Sequence, residues 1–390
     1  MKNNWGVKKL GDFAHYDVPA GWSRKCLSEI FVLSAGGDVD KNKFSKIKDI
    51  RHQYPIYANA LTNNGLYGYS SDYVVKSEAI TISGRGDIGK VFFRSGKFTP
   101  IVRLITAIPK QNISAKFMSY ACSRINFYNE MTGVPQLTIP QVSYFKVSYP
   151  SIKEQKAIVK VLETWDRGIE ITQKLIEQKE LQKKYLMQQL LTGKKRLKGF
   201  KGKWKKLRFD NVFNDYTMKN NMSQELLSAT QEFGVIPRSM LKGRVMSPSG
   251  SLKNYKFVKK DSFIISLRSF QGGIEYSKYE GIISPAYTVL KNICNINKSF
   301  YRYFFKLYIF IEEYLRIAVI GIRDGKQISY PDLKSIKIPF PEVAEQTAIA
   351  EILSTADKEV EILKNKLEKL KEQKKGLMQK LLTGKIRLRI

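Results

Sequence analysis

The feature that most restricts the fold of this chain is a duplication. Residues 150–197 align without a gap on residues 341–388, at a constant offset of 191 positions, and half of the paired positions are identical. The first copy opens Pro150-Ser-Ile-Lys-Glu154-Gln155-Lys-Ala157-Ile158 and the second Pro341-Glu-Val-Ala-Glu345-Gln346-Thr-Ala348-Ile349. The copies close on the same run, Leu190-Leu-Thr-Gly193-Lys194 and Leu381-Leu-Thr-Gly384-Lys385. A fold for this chain must therefore supply two equivalent places for one repeated unit.

Both copies read as long helices. Pro150 and Pro341 suit a helix entrance, where a missing N–H costs nothing. Gly193 and Gly384 stand where a helix should stop. Between them apolar residues recur at alternating spacings of four and three. In the first copy these are Ile158, Leu162, Trp165, Ile169, Ile176, Leu186 and Leu190. In the second they are Ile349, Leu353, Ala356, Val360, Leu363, Leu367, Leu370, Leu377 and Leu381. That spacing is the seam of a coiled coil. Thr172, Lys179, Lys183 and Lys374 interrupt it, and polar seam positions weaken pairing while fixing register. A helix from Glu154 to Leu191 would be roughly 57 Å long at 1.5 Å per residue. Two matched helices this much longer than the usual dozen residues are expected to partner each other.

The remaining parts differ in character. Residues 1–149 and 198–341 are rich in Tyr, Phe, Ile, Val, Gly and Ser, in short apolar runs cut by turn signals. They read as strand-rich globules. The expected layout is α+β: globule 1–149, helix 150–197, globule 198–341 and helix 342–390, with the two helices pairing as an antiparallel coiled coil. The chain carries a formal net charge of +32. Most of that excess lies in the globules, while the helices are nearly balanced. So basic a chain repels itself unless a polyanion is near, and nucleic acid is the first candidate. The longest apolar stretch, Tyr303 to Ile322, is broken by Lys306, Glu312, Glu313 and Arg316, so no membrane span is expected. Cys26, Cys122 and Cys294 form neither a disulfide framework nor a zinc site, and a reducing cytoplasm fits them.

Gly84-Arg85-Gly86-Asp-Ile-Gly89-Lys90-Val91 matches a dinucleotide fingerprint and nearly matches a phosphate-binding loop. Both need a helix starting at the last glycine, and here Val91-Phe-Phe reads as a strand. Position 91 also lacks the Ser or Thr that holds magnesium. The better reading is a hairpin: a strand over Ala79 to Ser83, a glycine-rich loop, then a strand over Val91 to Phe93. The second globule repeats the layout, with Ser262 to Ser266, a loop through Arg268, Gln271 and Gly273, then Ile274 to Tyr276. Glycines let backbone approach DNA closely, and Arg85, Lys90, Arg268 and Gln271 carry donors suited to base edges or phosphate. The same residues also suit an ordinary solvated hairpin tip, and the sequence leaves both readings open. Only two histidines occur, His15 and His52. A Ser-His-Asp triad or a His-rich metal site is therefore not expected. The Asn/Asp-Pro-Pro-aromatic tetrapeptide of a DNA amino-methyltransferase is missing. No catalytic residue and no metal ligand is assigned.

Globule, Pro-x-x-x-Glu-Gln-x-Ala-Ile helix, second globule, repeated helix ending Leu-Leu-Thr-Gly-Lys: this arrangement resembles the specificity subunit of type I restriction-modification systems over the whole chain. Leu267-Arg268, Gly281 and Ser284-Pro-Ala-Tyr287 look like one common variant of that family's target recognition domains. The resemblance implies that each recognition domain reads half of a split site in double-stranded DNA, while the paired helices hold the two at fixed spacing. It implies a chain that is not itself an enzyme and binds no cofactor. Methyltransferase subunits using S-adenosylmethionine, and restriction/translocase subunits using ATP and magnesium, would be its partners. The alternatives are a related system with one fused restriction-methylation partner, an independent DNA methyltransferase, and a coiled-coil scaffold. The missing catalytic tetrapeptide argues against the methyltransferase, and the charge on the globules against the scaffold.

Overall fold

A computed structural model describes residues 18–127, 136–241, 252–266, 269–318 and 328–389. Two helices of 39 residues each dominate, Ile152–Leu190 and Val343–Leu381. The chain divides into two compact units, residues 1–172 with 366–390, and residues 173–365. Each long helix thus gives its first half to one unit and its second half to the other. Among the described residues no helix is long and apolar enough to cross a membrane.

The first unit holds two four-stranded sheets. One has the order Phe31–Ala35, Ile105–Pro109, Ala79–Ile82, Val91–Arg94, all antiparallel. The other runs Phe44–Ser45, Leu66–Ser70, Tyr54–Tyr57, Thr99–Pro100, its last pair parallel. Helix Ala115–Cys122 packs on the first sheet and buries Phe117 and Met118 completely. The second unit holds one six-stranded sheet, ordered Phe213–Tyr216, Thr288–Asn292, Ser262–Ile265, Glu275–Ser277, Gly234–Pro237, Leu227–Thr230. Its core is aromatic: Phe213, Phe263, Tyr301 and Phe305 meet edge-on or tilted at centroid separations of 5.1 to 5.7 Å. Such edge contacts add stability beyond area burial.

The repeated motif builds a joint between helix and globule in each unit. In the first, the Gln155 amide donates to the Pro150 carbonyl at 2.9 Å and accepts from the Ser114 N–H at 2.9 Å. In the second, Gln346 donates to the Pro341 carbonyl at 2.9 Å and accepts from the Asn297 N–H at 2.8 Å. Both glutamines are fully buried. The preceding glutamates are buried as well and each takes an arginine fork. Arg387 reaches Glu154 through Nε and Nη2, both at 2.7 Å. Arg196 reaches Glu345 at 2.6 and 2.8 Å. A planar guanidinium matches a carboxylate in this way and lysine cannot.

The arginines arrive because each long helix stops abruptly. Gly193 and Gly384 adopt φ of 70° and 68°, and the Lys195 and Ile386 N–H groups fold back to the Gln189 and Lys380 carbonyls. This is the glycine stop expected from Leu-Leu-Thr-Gly. Each glycine also faces a tryptophan: a side chain at Gly193 would meet Trp204 at 3.3 Å, and one at Gly384 would meet Trp22 at 3.3 Å. Trp22 and Trp204 therefore take equivalent places in the two units.

Within each unit the two helix halves run antiparallel. Every seam residue named above is buried or half-buried. The ends of the seam do more than pair. Ile158, Leu162 and Leu381 belong to the core of the first unit, and Leu190, Ile349 and Leu353 to that of the second. The polar interruptions are ion pairs. Lys374 pairs with Asp166 in the first unit. In the second unit Lys183 pairs with Asp357, and Lys179 with Glu359 at 2.7 Å. Buried Thr172 satisfies its hydroxyl on the Gly168 carbonyl at 2.7 Å.

Candidate nucleic-acid interface

In the first unit the reading-loop candidate rises from a true hairpin. Ala79–Ile82 pairs antiparallel with Val91–Arg94, from Ala79 opposite Arg94 to Ile82 opposite Val91. A strand therefore follows Gly89, so the phosphate-binding readings fail on the helix they require. The loop is tightly built. The Ser83 N–H donates to the Lys90 carbonyl at 2.9 Å, and the Gly89 N–H to the Ser83 carbonyl at 2.8 Å. Gly86 and Gly89 have φ of 67° and 78°, the left-handed region where a side chain is strained. Arg85 is exposed and donates to the Gln136 amide oxygen at 3.1 Å. Lys90, also exposed, stands on the rim of a cavity of about 460 Å³ shared with Arg124 and Phe127. Both therefore lie on one loop, at opposite ends of it.

In the second unit Ser262–Ile265 pairs antiparallel with Glu275–Ser277. The connection is partly a helical turn, Ser269–Gly272, where the sequence suggested an open glycine-rich loop. The Ser266 N–H donates to the Ser269 hydroxyl at 2.9 Å and nucleates that turn. Arg268 lies outside the described residues. Gln271 is exposed and accepts from Gln231 at 3.4 Å. Gly273, with φ of 79°, passes so close to the Phe305 carbonyl that an added Cβ would sit 1.9 Å from it. Beneath the turn, Lys306 donates to the Gly272 carbonyl at 2.7 Å and to Glu275 Oε1 at 2.6 Å. Glu275 is 2% exposed, and among the described residues its second oxygen has no hydrogen-bond partner. Burial pushes its carboxyl up to about 7, against the pull of the Lys306 ammonium.

The structure thus gathers Arg85 and Lys90 on one loop in the first unit and leaves Gln271 on the corresponding turn of the second. Sequence reasoning missed the groups that hold these loops. Asn59 is one: its amide oxygen accepts from the Gly84 N–H at 2.8 Å, and its nitrogen donates to the Val102 carbonyl at 2.6 Å. Glu275 and Lys306 are the others, and partners so far apart along the chain leave no local signal. Arg196 and Arg387 were also missed, although they lie inside the repeated stretch at the same offset.

The model of the type I restriction modification DNA specificity domain matches this chain twice, over residues 19–181 and 201–372. The chain belongs to that family. Each match takes in one globule and most of the long helix after it. A protein named as a type I specificity subunit in Mycoplasma pneumoniae is 34% identical over 131 residues, covering 34% of this chain and 36% of that protein. The matched stretch is thus only about a third of that relative's length. A protein named as the MjaX specificity subunit in Methanocaldococcus jannaschii is 26% identical, with 96% of this chain and 95% of that one covered. The crystal structure of a type I restriction-modification S subunit from M. genitalium superposes with a TM-score of 0.58 at 17% identity, over 92% of this chain and 96% of that one. That likeness is one of fold.

Proposed function

We propose that this chain is the sequence-reading subunit of a type I restriction-modification complex. Each globule reads one half of a split target in double-stranded DNA, and partner polypeptides carry out methylation and cleavage. The observation that carries this reading is the twofold family match, one per globule and helix. The charge supports it: the globules hold most of the +32 excess. The joints support it too, since the same buried Glu-Gln pair mounts each globule on its helix, as modular half-site readers require.

The partners we propose are methyltransferase (modification) subunits using S-adenosylmethionine, and restriction/translocase subunits using ATP and magnesium. The chain itself would carry no cofactor and would work in the cytoplasm. A single fused restriction-methylation polypeptide as partner is the second reading, and neighbouring reading frames decide between the two. Arg85, Lys90, Arg268 and Gln271 are the proposed DNA contacts. The test is co-expression with the co-encoded methyltransferase in a methylation-free host, followed by mapping of methylated adenines. The expected result is one split motif with a fixed gap. Affinity of the complex for a duplex carrying that motif should fall steeply with salt, as phosphate neutralisation demands. An active complex that methylates a continuous motif, or binds DNA without salt dependence, contradicts the reading.

A further inference from the structure

Among the described residues seven non-glycine positions adopt positive φ. Five are asparagine or aspartate, the residue types that tolerate it: Asn63, Asn64, Asn112, Asn220 and Asp261. The two exceptions are adjacent, Val102 at 52° and Arg103 at 57°. For a β-branched residue that conformation is a true outlier, and such strain persists only where the surroundings over-determine it. They do so here. The Val102 and Arg103 N–H groups donate to the Gly37 and Gly36 carbonyls at 2.7 and 2.8 Å, and the Leu104 N–H closes on Ile101 at 3.1 Å.

Neither side chain belongs to a core cluster among the described residues. Val102 is 44% exposed. Arg103 is exposed, and among the described residues its guanidinium has no hydrogen bond or ion pair. Glycine would make the same turn without strain. The turn's location offers a reason for the side chains. Its backbone abuts the loop that carries Arg85: an added Cβ on Gly84 would lie 3.3 Å from the Arg103 carbonyl. Asn59 bonds both segments, so the two arginines leave one cross-braced platform from neighbouring backbones. A fixed turn that carries an unpaired guanidinium, braced against the backbone of the Arg85 loop, is suited to bidentate contact with guanine O6 and N7 in the major groove.

We propose that the Val102–Arg103 turn is a second base-reading element of the first globule, with Arg103 recognising a guanine in the half-site that Arg85 also serves. This rests on the DNA-reading function proposed above. The experiment uses the full chain with its methyltransferase, wild type against Arg103→Gly and Arg103→Lys. It reads three quantities: the methylated motif, binding to a duplex carrying the wild-type motif, and the melting temperature of the chain. Arg103→Gly should melt no lower than wild type, because glycine relieves the left-handed strain. It should nonetheless bind roughly 5- to 150-fold more weakly, the range for one lost bidentate base contact. Its motif should become degenerate at one position in one half, the other half unchanged. Arg103→Lys keeps the charge and loses the fork, so it should relax the same position. A lysine variant indistinguishable from wild type would reduce the contact to phosphate and overturn the proposal. An unchanged motif in Arg103→Gly would overturn it too, as would a lowered melting temperature. Should the wild type itself methylate no split motif, the DNA-reading function fails, and this inference with it. A normal wild-type motif that Arg103→Gly shares overturns only the inference.

Discussion

The joints of the two units are built alike, and their reading loops are not. At the joints the same three side chains recur at the same offset: Glu154, Gln155 and Arg387 against Glu345, Gln346 and Arg196. The loops are held by different chemistry. In the first unit a neutral amide, Asn59, braces the Arg85 loop, and the buried cation nearby, Arg94, sits on Tyr57 with its carbon 3.7 Å from the ring centroid. Arg94 donates to Thr81 and to the Asn64 carbonyl, and its burial lowers its pKa to about 10. In the second unit an ion pair, Glu275 with Lys306, does the bracing. Mounting and reading are therefore separable: a common mount accepts loops with different internal supports.

That comparison can be broken most forcefully at Lys306. Lys306→Met leaves Glu275 buried without its cation, which should destabilise the second unit by about 3–5 kcal/mol. The defect should depend on pH. The Glu275 carboxyl is raised to about 7 in the folded chain from an ordinary 4.5. Its proton therefore favours the fold below about 4.5, and that contribution is lost as pH rises through 7. Without Lys306 the carboxyl rises further, so the variant should be much less impaired at pH 5.5 than at pH 8. Hydrogen exchange over residues 272–277 and 79–94 checks this. Equal loss of protection in both stretches would mean that the loops are not independently supported.

A smaller effect is expected at the mount, and there the units should agree. Gln155→Ala and Gln346→Ala each orphan a buried carbonyl and a half-buried N–H that water can reach, at about 1–3 kcal/mol in all. Denaturant unfolding should give matched losses from the two variants. A twofold disagreement would show that the shared geometry hides unequal supports. One difference is already visible there. Trp204 donates to Glu345 at 2.8 Å, while the Trp22 indole nitrogen has no partner among the described residues.

The smallest effect belongs to the ion pairs between helix halves. Lys183→Ala and Lys374→Ala remove partly exposed contacts with Asp357 and Asp166. Each should cost about 1 kcal/mol or less, and less still in high salt. Thermal melts at low and high salt measure it. A larger loss would mean that these lysines act in register and not merely on the surface of the seam.

Much of this was legible in the sequence because it is local or periodic. The alternation of four and three between Ile158 and Leu190 marks a helix whatever it packs against, and Gly193 marks its end. Ala79-Ile-Thr-Ile and Val91-Phe-Phe declare strands, and the glycines between them a tight return. What the sequence hid depends on partners far along the chain. Nothing near Lys306 points to Glu275, and the Val102–Arg103 turn has no composition that announces positive φ. The lysines that interrupt the seam read as blemishes until Asp166, Asp357 and Glu359 are seen opposite them. Ser269–Gly272 looked like open loop because its helical turn depends on Ser266 and Ser269 meeting.

The first unit is closed by residues 366–390, which translation delivers only after the whole of residues 173–365. Arg387 reaches back 233 positions to Glu154 and 367 positions to Ala20. Residues 173–365, by contrast, are all available to one another once the second globule and the start of its helix have left the ribosome. Synthesis therefore runs opposite to completion: the globule made first is finished second, and until then the core holding Ile158 and Leu162 lacks Leu381 and Leu382. Contacts of such separation form slowly, so the nascent chain spends its synthesis with an apolar flank open. A chain cut short at residue 365 would hold every residue of the later-made unit and lack the stretch that closes the earlier-made one.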